Sequence, residues 1–274
     1  MAKPPATSGA EHADGDLAAD LARALENDEF FLVYQPTIDL QTNAFAGVEA
    51  LIRWRHPQRG VVSPLLFLNE LEASGLIVPV GRWALGVACA QGATWHDRGY
   101  RFFVSVNVSS KQFESREFID DVTDAISSSR FDPGLLVLEF SQASLVESEK
   151  LAVPRLKRLK ALGVRLAVDD FEPGLSAVDA LQEFDIDIVK LDREFIAGIS
   201  SSPSAPTLVH DLVQLSKSRH LQIIASGIEN ADQRAKLQIE EVDIGQGYLF
   251  SVPHEAEEID RFLEDFAIFS GKPL

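Results

Sequence analysis

Hydrophobic positions along the chain switch between two periods. Leu17 to Glu26 (LAADLARALE) spaces its apolar residues as a helix does. Phe30 to Leu40 and Phe45 to Trp54 are extended apolar runs. Asn43 between them fits a hairpin turn, so the two strands are expected to run antiparallel. Gln35-Pro36 interrupts the first run and predicts a strand edge or end there. Ser63-Pro64 opens a helix that Gly75 closes, and a longer helix is expected over Pro79–Arg98. From there strands and helices alternate. Strands are expected at Phe102–Val108, Leu135–Phe140, Val164–Phe171, Ile186–Leu191 and Leu221–Ala225. The helices between and after them cover Arg116–Ser127, Glu147–Leu162, Ser176–Glu183, Thr207–Ser218, Ala231–Ile239 and Ala256–Phe269.

Strand followed by helix, repeated along the chain, means a parallel sheet with helices outside. A closed barrel and an open doubly wound sheet both fit 274 residues. No glycine-rich fingerprint follows the first strand, and polar residues end many different strands, as in barrel enzymes. The prediction is an α/β fold of the modified TIM (β/α)8 type, with the early hairpin supplying one antiparallel strand. No linker or repeat divides it. Residues 1–16, polar and carrying Pro4 and Pro5, are expected to be a disordered leader, and 17–274 a single domain.

Composition narrows the function classes. No apolar run reaches membrane-spanning length, and Met1–Asp16 lacks the features of a secretory signal. The single Cys89 lies in an apolar helical stretch and is expected in the core. Together these indicate a cytoplasmic protein. A net charge of −17 argues against nucleic-acid polymers and anionic membranes, while leaving room for a small anion met by a basic group or a metal.

The strand ends carry the chemistry. Val164 to Val168 is an apolar run that stops at Asp169-Asp170, and two acids turned to one mouth need a proton or a cation between them. Glu49, Arg53, Asn107, Glu139, Lys190, Asp192 and Gln246 also sit near strand ends, and a barrel gathers such residues. Carboxylates plus an amide are oxygen ligands for Mg²⁺ or Mn²⁺. Adjacent acids suit a metal pair for in-line phosphoryl displacement. Lys190 could orient a water, and Arg53 could hold a phosphate. Structural alternatives stay open: an Arg53–Glu49 salt bridge, a Lys190 pair with Asp169 or Asp170, Asn107 capping its own strand, and Gln246 as a turn residue.

From about Asp20 to Pro253 the chain resembles the EAL domain, the family of bacterial cyclic-di-GMP phosphodiesterases. The signature stands as Glu49-Ala50-Leu51, extended to Arg53-Trp54, after Tyr34-Gln35-Pro36. Asn107 lies in Ser105–Ser109, and Asp169-Asp170-Phe171 is the paired aspartate. Lys190-Leu191-Asp192-Arg193 and Gln246–Ser251 with Pro253 complete the match. The resemblance implies that cyclic-di-GMP is opened to linear pGpG with Mg²⁺ or Mn²⁺. It implies Glu49, Asn107, Glu139 and Asp169 on a first metal, and Asp169 with Asp170 on a second. Lys190 would position the water, with Glu49 and Asp170 also in the catalytic set. Gln35, Leu51, Arg53, Asp192, Gln246, Phe250 and Pro253 would contact the ligand.

The chain departs from the family pattern in linked places. Ser226 stands where a second-metal Glu is expected, Gln142 where a Glu anchors the loop after the aspartates, and that loop reads Glu172-Pro173-Gly174. A hydroxyl is a poor ligand for a hard dication, and Pro173 removes an N–H. The first expectation is a degenerate EAL domain, binding cyclic-di-GMP or a protein partner with weak or no hydrolysis. Second is a working phosphodiesterase, and third a partner-binding module without nucleotide. The family also makes a homodimer an expectation.

Overall fold

The computed structural model describes residues 17–147, 149–171, 184–200 and 205–270. The leader 1–16, Glu172, Pro173 and the helix expected over Ser176–Glu183 lie outside these residues. The described strands are β1 (Phe30–Asp39), β2 (Phe45–His56), β3 (Gly60–Val62), β4 (Phe103–Val108), β5 (Leu136–Ser141), β6 (Arg165–Phe171), β7 (Ile188–Leu191), β8 (Gln222–Ala225) and β9 (Ile244–Gln246). These nine form one sheet in the order β1-β9-β8-β7-β6-β5-β4-β2-β3, and β1 also pairs β2. The ring therefore closes through eight strands, with β3 hanging on the end of β2 (Trp54 opposite Val62). β1 runs antiparallel to both its neighbours, and the other ring pairings are parallel. This is the expected modified TIM barrel, and Asn43 turns the hairpin with φ 56°.

Several elements differ from the expectation for identifiable reasons. Pro36 lies inside β1, opposite Val48, and not at its end. Tyr34 exchanges both backbone hydrogen bonds with His254 on the side away from β2. Alternation turns the Pro36 nitrogen to that same side, just before β9 begins to pair at Thr37, so no ladder bond is lost. The expected Ser63–Gly75 helix splits into a 3-10 turn, Pro64–Leu66, and a helix, Leu68–Ser74. Between them Phe67 leaves helical geometry at φ −137° and is fully buried against Phe30 and Trp54. Short elements such as β3, β9 and the helices Ser110–Glu114 and Arg193–Gly198 are too brief to show a period.

Two apolar cores position the mouth. One plugs the barrel: Phe103, Val137, Ala167, Ile188, Ile224 and Ile244 turn inward, one from each successive parallel strand from β4 to β9. A second core of Leu21, Phe30, Trp54, Phe67, Leu71 and Val80 ties the first helix (Leu17–Glu26) to the end of β2. Side chains alternate along a strand, so the inward residues two positions past the plug are Ser105, Glu139, Asp169, Lys190, Ser226 and Gln246. The apolar plug thus carries a polar storey. Among the described residues no helix is long and apolar enough to cross a membrane.

Candidate active site at the barrel mouth

Each polar side chain reaches the mouth through its strand register. β1 sets Gln35 opposite Glu49 of β2, β2 sets Glu49 beside Ser105 of β4, and β4 sets Asn107 beside Glu139 of β5. Lys190 on β7 is the hub. Its ammonium donates to Glu139 Oε2 at 2.5 Å, Glu49 Oε2 at 3.2 Å and Asp169 Oδ2 at 3.2 Å. Asn107 Nδ2 donates to Glu49 Oε1 at 2.6 Å, and Gln246 Nε2 donates to Glu49 Oε2 at 2.8 Å and to Gln35 Oε1 at 3.3 Å. Gln35 Nε2 in turn reaches the Ser251 carbonyl at 3.1 Å. The amides thus fix Glu49 from both sides.

Burial and charge set the protonation of the cluster. Burial raises the Glu139 carboxyl to about 8; Lys190 opposes the shift, and the negative charges of Glu49 and Asp169 add to it. Burial also works against an ionised Glu49. There the Lys190 charge and the Gln246 and Asn107 hydrogen bonds outweigh it, and the carboxyl falls below its ordinary value. Burial alone would favour a neutral Lys190, but Asp169, Glu139 and Glu49 hold it charged. The structural alternative for Lys190 is therefore met in part, with Asp169 among its partners and not Asp170.

The paired aspartates sit in a bulge. Val168 pairs Val189 and Phe171 pairs Leu191, so β6 spends one more residue than β7 between them. Asp170 takes the left-handed conformation, φ 54°, which Asp tolerates better than most residues. The Asp169 carboxylate accepts from the Asp170 N–H at 2.9 Å. This twist lets consecutive residues face one mouth. Burial, then the charges of Asp169 and Asp192, push the Asp170 carboxyl up.

The mouth has two lobes that meet at Glu49, Leu51, Asp169 and Asp170. The smaller, about 200 Å³, is also lined by Gln35, Lys190, Arg193, Ser226, Gln246 and Tyr248. The larger, about 540 Å³, is walled by Arg53, Ile52, Ile77, Val80 and Val108, and by Asn107 and Glu139. Arg53 donates to the Ile52 carbonyl at 2.7 Å and forms no ion pair with Glu49. That alternative is corrected, because Lys190, Asn107 and Gln246 already occupy Glu49. Asn107 likewise spends its amide on Glu49, and Gln246 ends β9, not a turn.

Other expected contacts stand further off. Asp192 caps the helix Arg193–Gly198, accepting from Glu194 N at 2.8 Å and Phe195 N at 3.1 Å. Phe250 packs against a further apolar core that includes Tyr34, Leu40 and Ile228, with the Arg234 guanidinium 5.7 Å from its ring. Neither of these, nor Pro253, lines a lobe. Gln142 opens the helix Gln142–Glu147 directly after β5. The sequence pattern assigned no role to Arg193 or Tyr248, which line the smaller lobe; a cation just past a strand-end acid and an aromatic just past Gly247 were the available signals.

The donor set fits one hard dication. Glu49, Glu139 and Asp169 each offer a carboxylate oxygen, all within 4.8 Å of one another. Glu139 Oε1 is buried without a hydrogen-bond partner, as a ligand oxygen awaiting a cation would be. Ser226 Oγ is likewise buried and unpartnered, but it is neutral.

Comparison with known proteins agrees with this geometry. The cyclic di-GMP phosphodiesterase PdeR of Escherichia coli (strain K12) is 34% identical over 250 residues, covering 91% of this chain and 38% of that protein. The cyclic di-GMP phosphodiesterase PA2567 of Pseudomonas aeruginosa is 36% identical over 248 residues, covering 90% of this chain and 42% of that protein. The chain therefore spans well under half the length of these relatives. A solved structure of PaMucR phosphodiesterase in complex with c-di-GMP superposes with a TM-score of 0.84 at 33% identity, covering 89% of this chain and 99% of that one. Residues 18–253 match the EAL domain, and the chain belongs to the EAL domain family.

Proposed function

We propose that this domain binds cyclic-di-GMP across the two lobes, with one divalent cation, and hydrolyses it weakly. The observation that carries the reading is Ser226. Beside Asp169, Lys190 and Gln246 in the polar storey, β8 is followed by a neutral hydroxyl, where a second hard cation would need a carboxylate. Glu49, Asn107, Glu139 and Asp169 would hold the first Mg²⁺ or Mn²⁺, and Asp170 is left to hold a second with little help. A bound dication acidifies water and neutralises phosphate charge. The chain's own groups do the rest. Lys190, kept charged by three acids, would position a water at the mouth once those acids turn to a cation, Asn107 and Gln246 fix Glu49, and Arg53 offers a guanidinium to a phosphate in the larger lobe.

A second reading is an efficient phosphodiesterase opening cyclic-di-GMP to pGpG, and the intact Lys190 cluster favours it. Calorimetry of the purified domain with cyclic-di-GMP and Mn²⁺, followed by chromatography for pGpG, separates the readings. Binding with slow or no product supports the proposal. Rapid product overturns it, and absence of binding would leave a partner-binding module. The domain is proposed to act in the cytoplasm and to pair as a homodimer, which light scattering tests.

A further inference from the structure

We infer that Arg193, seated on Tyr248 at the rim of the smaller lobe, exchanges Glu229 for the 5′-phosphate of a linear dinucleotide, making it a specificity residue for the opened ligand over the cyclic one. The inference rests on the dinucleotide reading above and adds to it.

The seat of Arg193 is built. Gly227 has φ +77°, and a Cβ there would stand 2.3 Å from Arg193 Cγ, so the missing side chain is what makes room for the arginine stem. The guanidinium lies 6.0 Å from the centroid of the Tyr248 ring, which is 61% exposed. Its Nη2 donates to Glu229 Oε1 at 2.7 Å, and the two side chains are 63% and 52% exposed. So open an ion pair is held weakly, and a better anion can replace Glu229 at little cost.

The charge balance of the lobe selects that anion. Lys190 faces the same space but is buried and saturated by three carboxylates. Among the described residues lining this lobe, Arg193 is the exposed cation. Each phosphodiester of the cyclic ligand carries one charge and no terminal group. Opening the ring creates a phosphomonoester of nearly two charges, which the acids of the mouth repel and a planar guanidinium grips with two hydrogen bonds.

The test compares three probes by calorimetry in Mn²⁺ buffer: cyclic-di-GMP, pGpG, and GpG lacking the 5′-phosphate. Wild type is expected to bind pGpG about tenfold more tightly than GpG. Arg193→Ala should erase that ratio and weaken pGpG severalfold more than cyclic-di-GMP, and Glu229→Gln should widen it. An unchanged melting temperature for both variants excludes a folding effect. A ratio that survives Arg193→Ala, an equal loss on all three probes, or a narrower ratio in Glu229→Gln overturns the inference. Cyclic-di-GMP binding with no preference for pGpG over GpG overturns it alone, whereas failure to bind any probe overturns the dinucleotide reading beneath it.

Discussion

Three carboxylates crowd one ammonium at the hub, and Glu139 is the acid that yields. Its folded value, about 8, stands above the ordinary 4.5. Between those values the folded protein holds a proton that the unfolded chain has released, so stability falls as pH rises through that window. Chelated wild type should therefore melt at lower temperature at about pH 8 than at about pH 5, and Glu139→Gln should flatten the slope, gaining roughly 3 °C at the higher pH. Scanning calorimetry at both pH values checks this, and a flat wild-type profile would mean that Glu139 ionises without cost. Lys190 works in the opposite sense. Lys190→Met leaves the acids buried without their cation and should cost about 3–5 kcal/mol in chelated protein, read by urea unfolding. A loss below about 1 kcal/mol would show that the acids simply take up protons.

At the level of the element, the β6 bulge decides whether two adjacent acids can share a mouth. Asp170 pays for its left-handed φ of 54°, and the side chain there sets how much. Asp170→Asn should be nearly neutral for stability, whereas β-branched Asp170→Val should lose more than about 1 kcal/mol. Equal melting of the two variants would remove the bulge from the account. The sequence shows the acids at a strand end, but not the bulge, because a bulge is defined by the partner strand and β7 lies 17 residues further on from Phe171 to Ile188. The same limit explains the other differences. The alternation of strands and helices exposed the barrel, since each long element carries its own period, and the antiparallel hairpin was legible through Asn43. Phe67 breaks its helix to fill a core built from Phe30 and Trp54, and no local window contains all three. At the site, residue type and strand position sufficed to bring Glu49, Asn107, Glu139, Asp169 and Lys190 to one mouth. They did not suffice for Asp192, whose carboxylate is spent on a helix cap, nor for Arg193, whose place follows from the bare Gly227 across the lobe.

Closing the barrel brings β8 beside β7 and β9, so Ser226 shares a lobe with Asp169, Asp170 and Lys190 although the chain separates them by dozens of residues. A change at Ser226 is therefore felt by the whole ring of charges. Ser226→Glu adds one more carboxylate where Lys190 is already saturated, and without metal it should lower the melting temperature near neutral pH. Adding Mn²⁺ should return more stability to the variant than to wild type, because a cation that binds only the folded state stabilises it in proportion to its occupancy. Hydrolysis is another matter. Gln142 stands where the family resemblance implies a Glu, an amide's neutral hydrogen bond is about half as strong as a charged one, and Pro173 lacks an N–H. Ser226→Glu alone is expected to raise pGpG formation less than about tenfold, and Ser226→Glu with Gln142→Glu to raise it by more than the product of the single changes, which would show the two positions to be coupled. Chromatographic rates for wild type, both single variants and the double variant decide it. A large gain from Ser226→Glu alone would mean that a carboxylate after β8 suffices for faster hydrolysis without any change at Gln142.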